Sequence, residues 1–179
     1  APGYWRSSVD IATQWERTLR EAPTPNTRKI AIRSSFAMSP DRGGIFDTLL
    51  WLVRRGFSGA FAGGEQRISW MHDRDFVRAL RFAIDRESLE GPVIFAAPEP
   101  LRQRDFFAAL RRAAGVPIGL PASAWMLDVG AWILRTDPEL ILKSRYVVPT
   151  RLLESGFRFD FPTWAPAAAD LVTRWRAGS

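Results

Sequence analysis

A chain of 179 residues with 46% hydrophobic and 12% aromatic composition is long enough to bury one substantial core, which excludes a disordered chain. The absence of cysteine and the presence of a single histidine exclude disulfides, thiolate catalysis and multi-histidine zinc sites, so no metal is expected. The net charge of +6 comes from arginines interleaved with Asp and Glu, and only two of the 25 basic residues, Lys29 and Lys143, are lysines; such scattered charge builds no phosphate-binding face, and nucleic acid is not an expected partner.

No apolar run approaches the roughly 18 residues of a membrane span. The N-terminus lacks the charged-then-apolar order of a signal peptide, and the expectation is a soluble, cytoplasmic protein with no membrane partner.

In chain order, the spacing predicts a helix over 7–22. Ser7 serves as cap, Asp10 follows as in a capping box, and Ile11, Trp15, Leu19 and Ala22 form the apolar stripe. Residues 29–38 then have a strand's length and composition, with a start apolar enough for burial on both faces. Gly43 and Gly44 turn into a helix over 45–55, apolar around most of its circumference, with Arg54 and Arg55 at its negative end and Gly56 as its stop. Residues 57–62 form a short extended or looped piece.

Residues 63–75 read GGEQRISWMHDRD: a turn, a short strand over 68–71 and a helix start, with Asp73 or Asp75 as the cap. Phe76, Val77, Leu80, Ala83 and Ile84 recur on one face of the helix over 74–86, opposite Arg74, Arg78, Arg81 and Asp85. A strand over 93–97 and a helix over 103–114 follow, stopped by Gly115. Residues 116–121 form a proline-bounded connector. A patterned helix begins at Ala122, and Asp137-Pro138 opens another short one. Phe157, Phe159 and Phe161 alternate with Arg158 and Asp160 as in a half-buried strand. A final helix carries Trp164, Ala168, Leu171, Val172 and Trp175 on one side.

Gly64, Gln66, Ser69, Trp70, His72 and Asp75 resemble, at fixed offsets, the substrate-domain signature of atypical extended short-chain dehydrogenase/reductase proteins, the NAD-dependent epimerase/dehydratase-like branch. Trp15-Glu16, the strand ending in Arg33, Gly43-Gly44, Val148-Pro149, Leu152-Leu153 and the Gly156-Phe157 run extend the likeness over nearly the whole chain. The resemblance implies an α/β fold: the C-terminal part of an extended Rossmann-type enzyme, a few sheet strands with a largely helical substrate domain. Residues 1–40 would be the last helix and strand of a dinucleotide-binding domain whose earlier strands lie outside this chain. Residues 41–179 would be the substrate-binding domain, with the strand over 92–97 returning to the dinucleotide-binding sheet.

The residues agree with that partition. The thirteen glycines make no G-x-G-x-x-G loop for a pyrophosphate. Nor is there a Tyr-x-x-x-Lys pair for proton transfer, since Tyr4 is followed at that distance by Ser8 and Tyr146 by Thr150. Aligning Glu16 with the family's helix puts Ser8 and Ala12 where the usual Tyr and Lys stand, so no catalytic residue is assigned.

By resemblance the parent enzyme uses NAD or NADP, neither of which this chain should hold tightly alone, and acts on a small, possibly sugar-like molecule. Main-chain contacts to nicotinamide fall on Arg33, Ser34, Ser35 and Phe36, which are equally an ordinary strand exit. Gln66 and Arg67 suit a substrate's polar groups, although Ile68 stands where sugar-nucleotide enzymes place a diphosphate-binding arginine. Trp70 suits ring stacking or core packing. His72 suits proton transfer or a structural bond to backbone, and Arg145 a substrate pocket or a solvated surface. A non-catalytic ligand-binding module on the same fold is the alternative function, and a homo-oligomer through surfaces left by the missing half is an expected assembly.

Overall fold

The computed structural model describes residues 3–59, 62–119, 144 and 146–178. Helix α1 spans Gly3–Glu21, followed by strands β1 (Ile30–Ser34) and β2 (Phe36–Met38), then helix α2 (Ile45–Arg54). A single 3-10 turn at Ala62–Gly64 leads into β3 (Arg67–Ile68), β4 (Trp70–His72) and α3 (Asp73–Asp85). Strands β5 (Gly91–Phe95) and β6 (Leu101–Arg102) precede α4 (Gln103–Ala114), and the described C-terminal part holds α5 (Thr150–Glu154) and α6 (Trp164–Ala177). The helices predicted from Ala122 and from Asp137-Pro138 lie outside the described residues.

The expected ten-residue strand over 29–38 is two strands in two sheets. Ser35 is the break: its N–H and its hydroxyl both donate to the Phe95 carbonyl, at 2.9 and 3.0 Å. The chain therefore leaves the β1–β5 parallel ladder there, and β2 takes up parallel pairing with β4, Phe36 opposite Trp70 and Met38 opposite His72. The strand over 68–71 is divided in the same way at Ser69, and β3 pairs antiparallel with β6.

Two cores result. Helices α2, α4 and α6 pack around Met38, Trp70 and Trp164, with Phe46, Leu50, Phe106, Leu110 and Leu171 fully inside. Trp164 stacks on Phe106 at 4.1 Å and meets Trp70 edge-on at 4.8 Å, and its indole N–H donates to the Phe106 carbonyl, so its polar edge is satisfied inside the core. The second core joins Met71, Ala79, Ala83, Val93, Phe95, Leu152 and Phe157 beneath α3 and β5. Gly115 stops α4 in the left-handed conformation (φ 74°), which costs glycine nothing.

Among the described residues one expected strand is absent, and two apolar faces are left exposed. Residues 157–161 keep the alternating burial of a strand but pair with none; Asp75 takes the N–H groups of Asp160 and Phe161 instead. The apolar stripe of α1 is uncovered among the described residues, with Trp15 73% and Ile11 48% exposed. Helix α3 buries Asp75, Ala79 and Ala83, while Val77, Leu80 and Ile84 face out. Helical spacing gives an apolar face; it does not say whether anything covers it.

Several cations bind backbone carbonyls. Arg28 donates to Ala83 and Ile84 at the end of α3 and to Leu89, and Lys29 to Arg20 and Ala22 at the end of α1. Arg151 reaches Glu90 and Pro92, and Arg176 reaches Ala114 at the end of α4. Exposed carbonyls at helix ends attract positive groups, which accounts for part of this arginine-rich composition.

Candidate functional site

The carboxyl ends of parallel strands leave backbone groups without ladder partners and are where open α/β sheets hold ligands. Here β1 ends at Ser34, opposite Phe95 at the end of β5. Ser34 is exposed and its hydroxyl donates to the Ser35 carbonyl at 2.7 Å. Arg33 turns away from that end: its guanidinium makes a two-pronged bond to Glu16 of α1, both contacts at 2.7 Å. The pairing holds the Glu16 carboxyl below its ordinary value and raises the guanidinium of Arg33. Phe36 starts β2 beside Trp70, so of residues 33–36 it is Phe36 that meets the signature stretch through backbone, while the Ala97 N–H donates to the Trp70 carbonyl at 2.6 Å.

Gln66 and Arg67 are half-buried. The Arg67 N–H donates to the Ser144 hydroxyl at 3.0 Å, its guanidinium donates to the Pro100 carbonyl at 3.4 Å, and it lies 5.9 Å from the centre of the Tyr146 ring. Ser69 accepts the Val147 N–H at 3.1 Å. Two hydroxyls thus hold Ser144 beside Arg67 and Val147 beside Ser69, and Tyr146, 64% exposed, lies beside Arg67. Arg145 lies outside the described residues. The Gln66 carbonyl accepts the Gln103 N–H at 2.8 Å, fixing the loop to the start of α4.

Trp70 and His72 are placed differently. Both are 0% exposed, and Trp70 is a core residue against Trp164. His72 is stacked on Phe161 with centroids 3.8 Å apart. Its Nε2 lies 3.0 Å from Asp170 Oδ2 of α6; its Nδ1 lies 3.2 Å from the Arg74 N–H and 2.9 Å from Asp73 Oδ1. An unprotonated Nδ1 accepts from Arg74 and caps α3, whereas a protonated one donates to Asp73; it cannot do both. His72, rather than Asp73 or Asp75, is the cap residue of α3.

Asp73 is bound by Arg174 through two bonds of 2.6 and 2.8 Å, and Arg174 also reaches Asp170 at 3.2 Å. Burial works against the Asp73 charge, but the bonds from Arg174 outweigh it and hold the carboxyl far below the usual range. The Asp73 bond in turn raises Arg174. Arg74 joins through Asp170 at 3.4 Å and Arg78 through Asp75 at 2.7 Å, so the predicted arginine face is largely paired. Asp170 and Arg174 carried no local sequence signal beyond their i, i+4 spacing. Among the described residues no group of three His, Asp or Glu side chains could hold a metal ion, and no helix is long and apolar enough to cross a membrane.

Comparison with known proteins fits this arrangement. The family described as a domain of unknown function, DUF1731, matches residues 122–171. An epimerase family protein of Staphylococcus aureus is 30% identical over 167 residues, 92% of this chain and 54% of that protein. Its counterpart from Mycobacterium bovis is 31% identical over 168 residues, 93% of this chain and 54% of that protein. Among solved structures, the human epimerase family protein SDR39U1 (isoform 2) with NADPH superimposes with a TM-score of 0.79 at 23% identity, over 92% of this chain and 54% of that one. A nucleoside-diphosphate sugar epimerase from Corynebacterium glutamicum gives 0.68 at 24%, over 91% and 30%.

The fold is therefore that of the C-terminal part of extended short-chain dehydrogenase/reductase epimerases, helical for the most part with small sheets. By sequence, the chain is homologous to the C-terminal half of the epimerase family proteins, and it spans about half the length of the curated relatives it matches.

Proposed function

We propose that this chain is the substrate-facing half of an NAD(P)-dependent, epimerase-like oxidoreductase and that it does not turn over alone. In this reading residues 1–40 complete a dinucleotide-binding sheet, β5 returns to it, and the rest of the chain shapes the substrate pocket. The observation that carries the reading is the free edge of β1. Among the described residues β1 pairs with β5 only, and Ile32 on it, Trp15 of α1 and Val77, Leu80 and Ile84 of α3 are 37–73% exposed. Parallel strands are ordinarily buried on both faces and continued at their edges, so an apolar, unpaired parallel edge calls for further strands.

The groups present suit one end of a dinucleotide. Ser34 and the main chain through Phe36 offer polar contacts at a strand exit, where a nicotinamide would lie, whereas nothing in the sequence offers the glycine-rich turn a pyrophosphate needs. When bound, the nicotinamide supplies the hydride chemistry. Arg67 and Tyr146, with Gln66 beside them, bind and orient the polar groups of a small, possibly sugar-like substrate. The human relative's NADPH favours NADP over NAD as the cofactor of the whole enzyme.

Calorimetry tests the reading. The chain alone should show no NADPH or NADH binding tighter than about 1 mM, and co-expression with a family dinucleotide-binding half should give a complex that binds NADPH at about micromolar levels. Micromolar binding by the isolated chain, or the absence of any complex, would overturn the proposal.

A further inference from the structure

The length of α2, with Arg42 ahead of it, and the end of α6 enclose a cleft of about 590 Å³ lined by Arg42, Asp47, Trp51, Arg54, Arg55 and Trp175. None of these residues belongs to the site described above. Three guanidiniums lie over two indoles: Arg42 at 3.6 Å and Arg54 at 5.0 Å from the Trp175 ring, and Arg55 at 3.9 Å from that of Trp51. Asp47 is committed within the wall. It accepts the Trp175 indole N–H at 2.7 Å and the Gly43 N–H at 2.9 Å, and lies 3.5 Å from Arg42. Arg54 and Arg55 have no carboxylate partner among the described residues.

A guanidinium held against an indole face is steered by the ring, yet all its N–H donors lie in its own plane and stay available. Rigid, in-plane forks match the oxygens of phosphate groups. With three arginines against one aspartate, the lining carries two positive charges in excess, which a monocarboxylate would not balance. The volume falls within the range of small-molecule sites, about 300–1,000 Å³. We propose that this cleft binds a small phosphorylated anion, a pyrophosphate or nucleoside diphosphate group, with Arg54 and Arg55 gripping its oxygens and Trp51 and Trp175 walling it in.

The test uses the 179-residue chain, inorganic pyrophosphate and ADP as probes, and the indole ¹H–¹⁵N signals of Trp51 and Trp175 assigned through W51F and W175F. Each probe should shift those two signals saturably, with half-saturation below about 1 mM. The exposed double variant R54A/R55A should weaken this by about tenfold or more, while R81A, an exposed arginine of α3, should leave it unchanged. No saturable shift up to about 10 mM, or a shift that survives in R54A/R55A, overturns the proposal. So does a hexaglutamate peptide that moves the same signals about tenfold more tightly than either phosphate probe, since the occupant is then an acidic protein segment.

Discussion

His72 Nε2 lies 3.0 Å from Asp170 Oδ2, a contact across 98 residues that ties the strand-to-helix junction of the signature stretch to the C-terminal helix α6. The same ring caps α3 through Nδ1 and is stacked on Phe161, so one buried imidazole fixes three segments. A group used in this way positions the fold around the site.

His72→Ala should therefore cost about 2–4 kcal/mol, through the lost ring packing and the lost cap. His72→Asn keeps a side chain that can accept the Arg74 N–H and should recover about 1 kcal/mol of that. Urea denaturation of the three proteins checks both figures. Unchanged stability in H72A would assign the ring to ligand contact instead.

Asp75 is 0% exposed and accepts the N–H groups of Asp160 at 2.9 Å and Phe161 at 2.8 Å while pairing with Arg78. Asp75→Ala leaves two part-buried N–H donors without their acceptor, although Arg78 keeps Asp160 at 2.9 Å, and should destabilise by about 2–4 kcal/mol. The exposed Asp85→Ala, on the same helix, should stay within about 0.5 kcal/mol of wild type. Denaturation midpoints at one pH compare them directly.

Asp73 gives the acid response its sign. Its carboxyl is held below the usual value in the folded chain, so above about pH 4 it is ionised folded or unfolded and the Arg174 pairing stabilises in full. As pH falls below that, the unfolded chain takes up a proton that the folded one refuses, and stability drops. Arg174→Ala should be less stable at pH 7 and should lose less on acidification from about pH 4 to pH 2. Urea midpoints of both proteins across that window measure the difference.

Arg28 donates to the carbonyls of Ala83, Ile84 and Leu89. Arg28→Ala should cost about 1–2 kcal/mol, and Arg28→Lys should restore less than half because a single ammonium cannot span those carbonyls in one plane. Faster hydrogen exchange at the Arg86 and Leu89 amides, which close the turn after α3, would place the loss at that helix end.

The sequence by itself determined the local elements whose signals are local. Helix α4 falls at 103–114 because Phe106, Phe107 and Leu110 share a face and Gly115 alone accepts the left-handed stop. The spacing of residues 63–75 was enough for the family likeness. What a short stretch cannot encode is who sits opposite. Only tertiary structure broke the strand over 29–38 at Ser35, because the partner is the Phe95 carbonyl 60 residues away. Only it turned Asp75 from a helix cap into the clamp on residues 160–161, and gave His72 a partner on α6. Among the described residues it also left the apolar stripe of α1, and Val77, Leu80 and Ile84 of α3, exposed, since the periodicity of a helix depends on its own side chains while burial depends on atoms supplied from elsewhere.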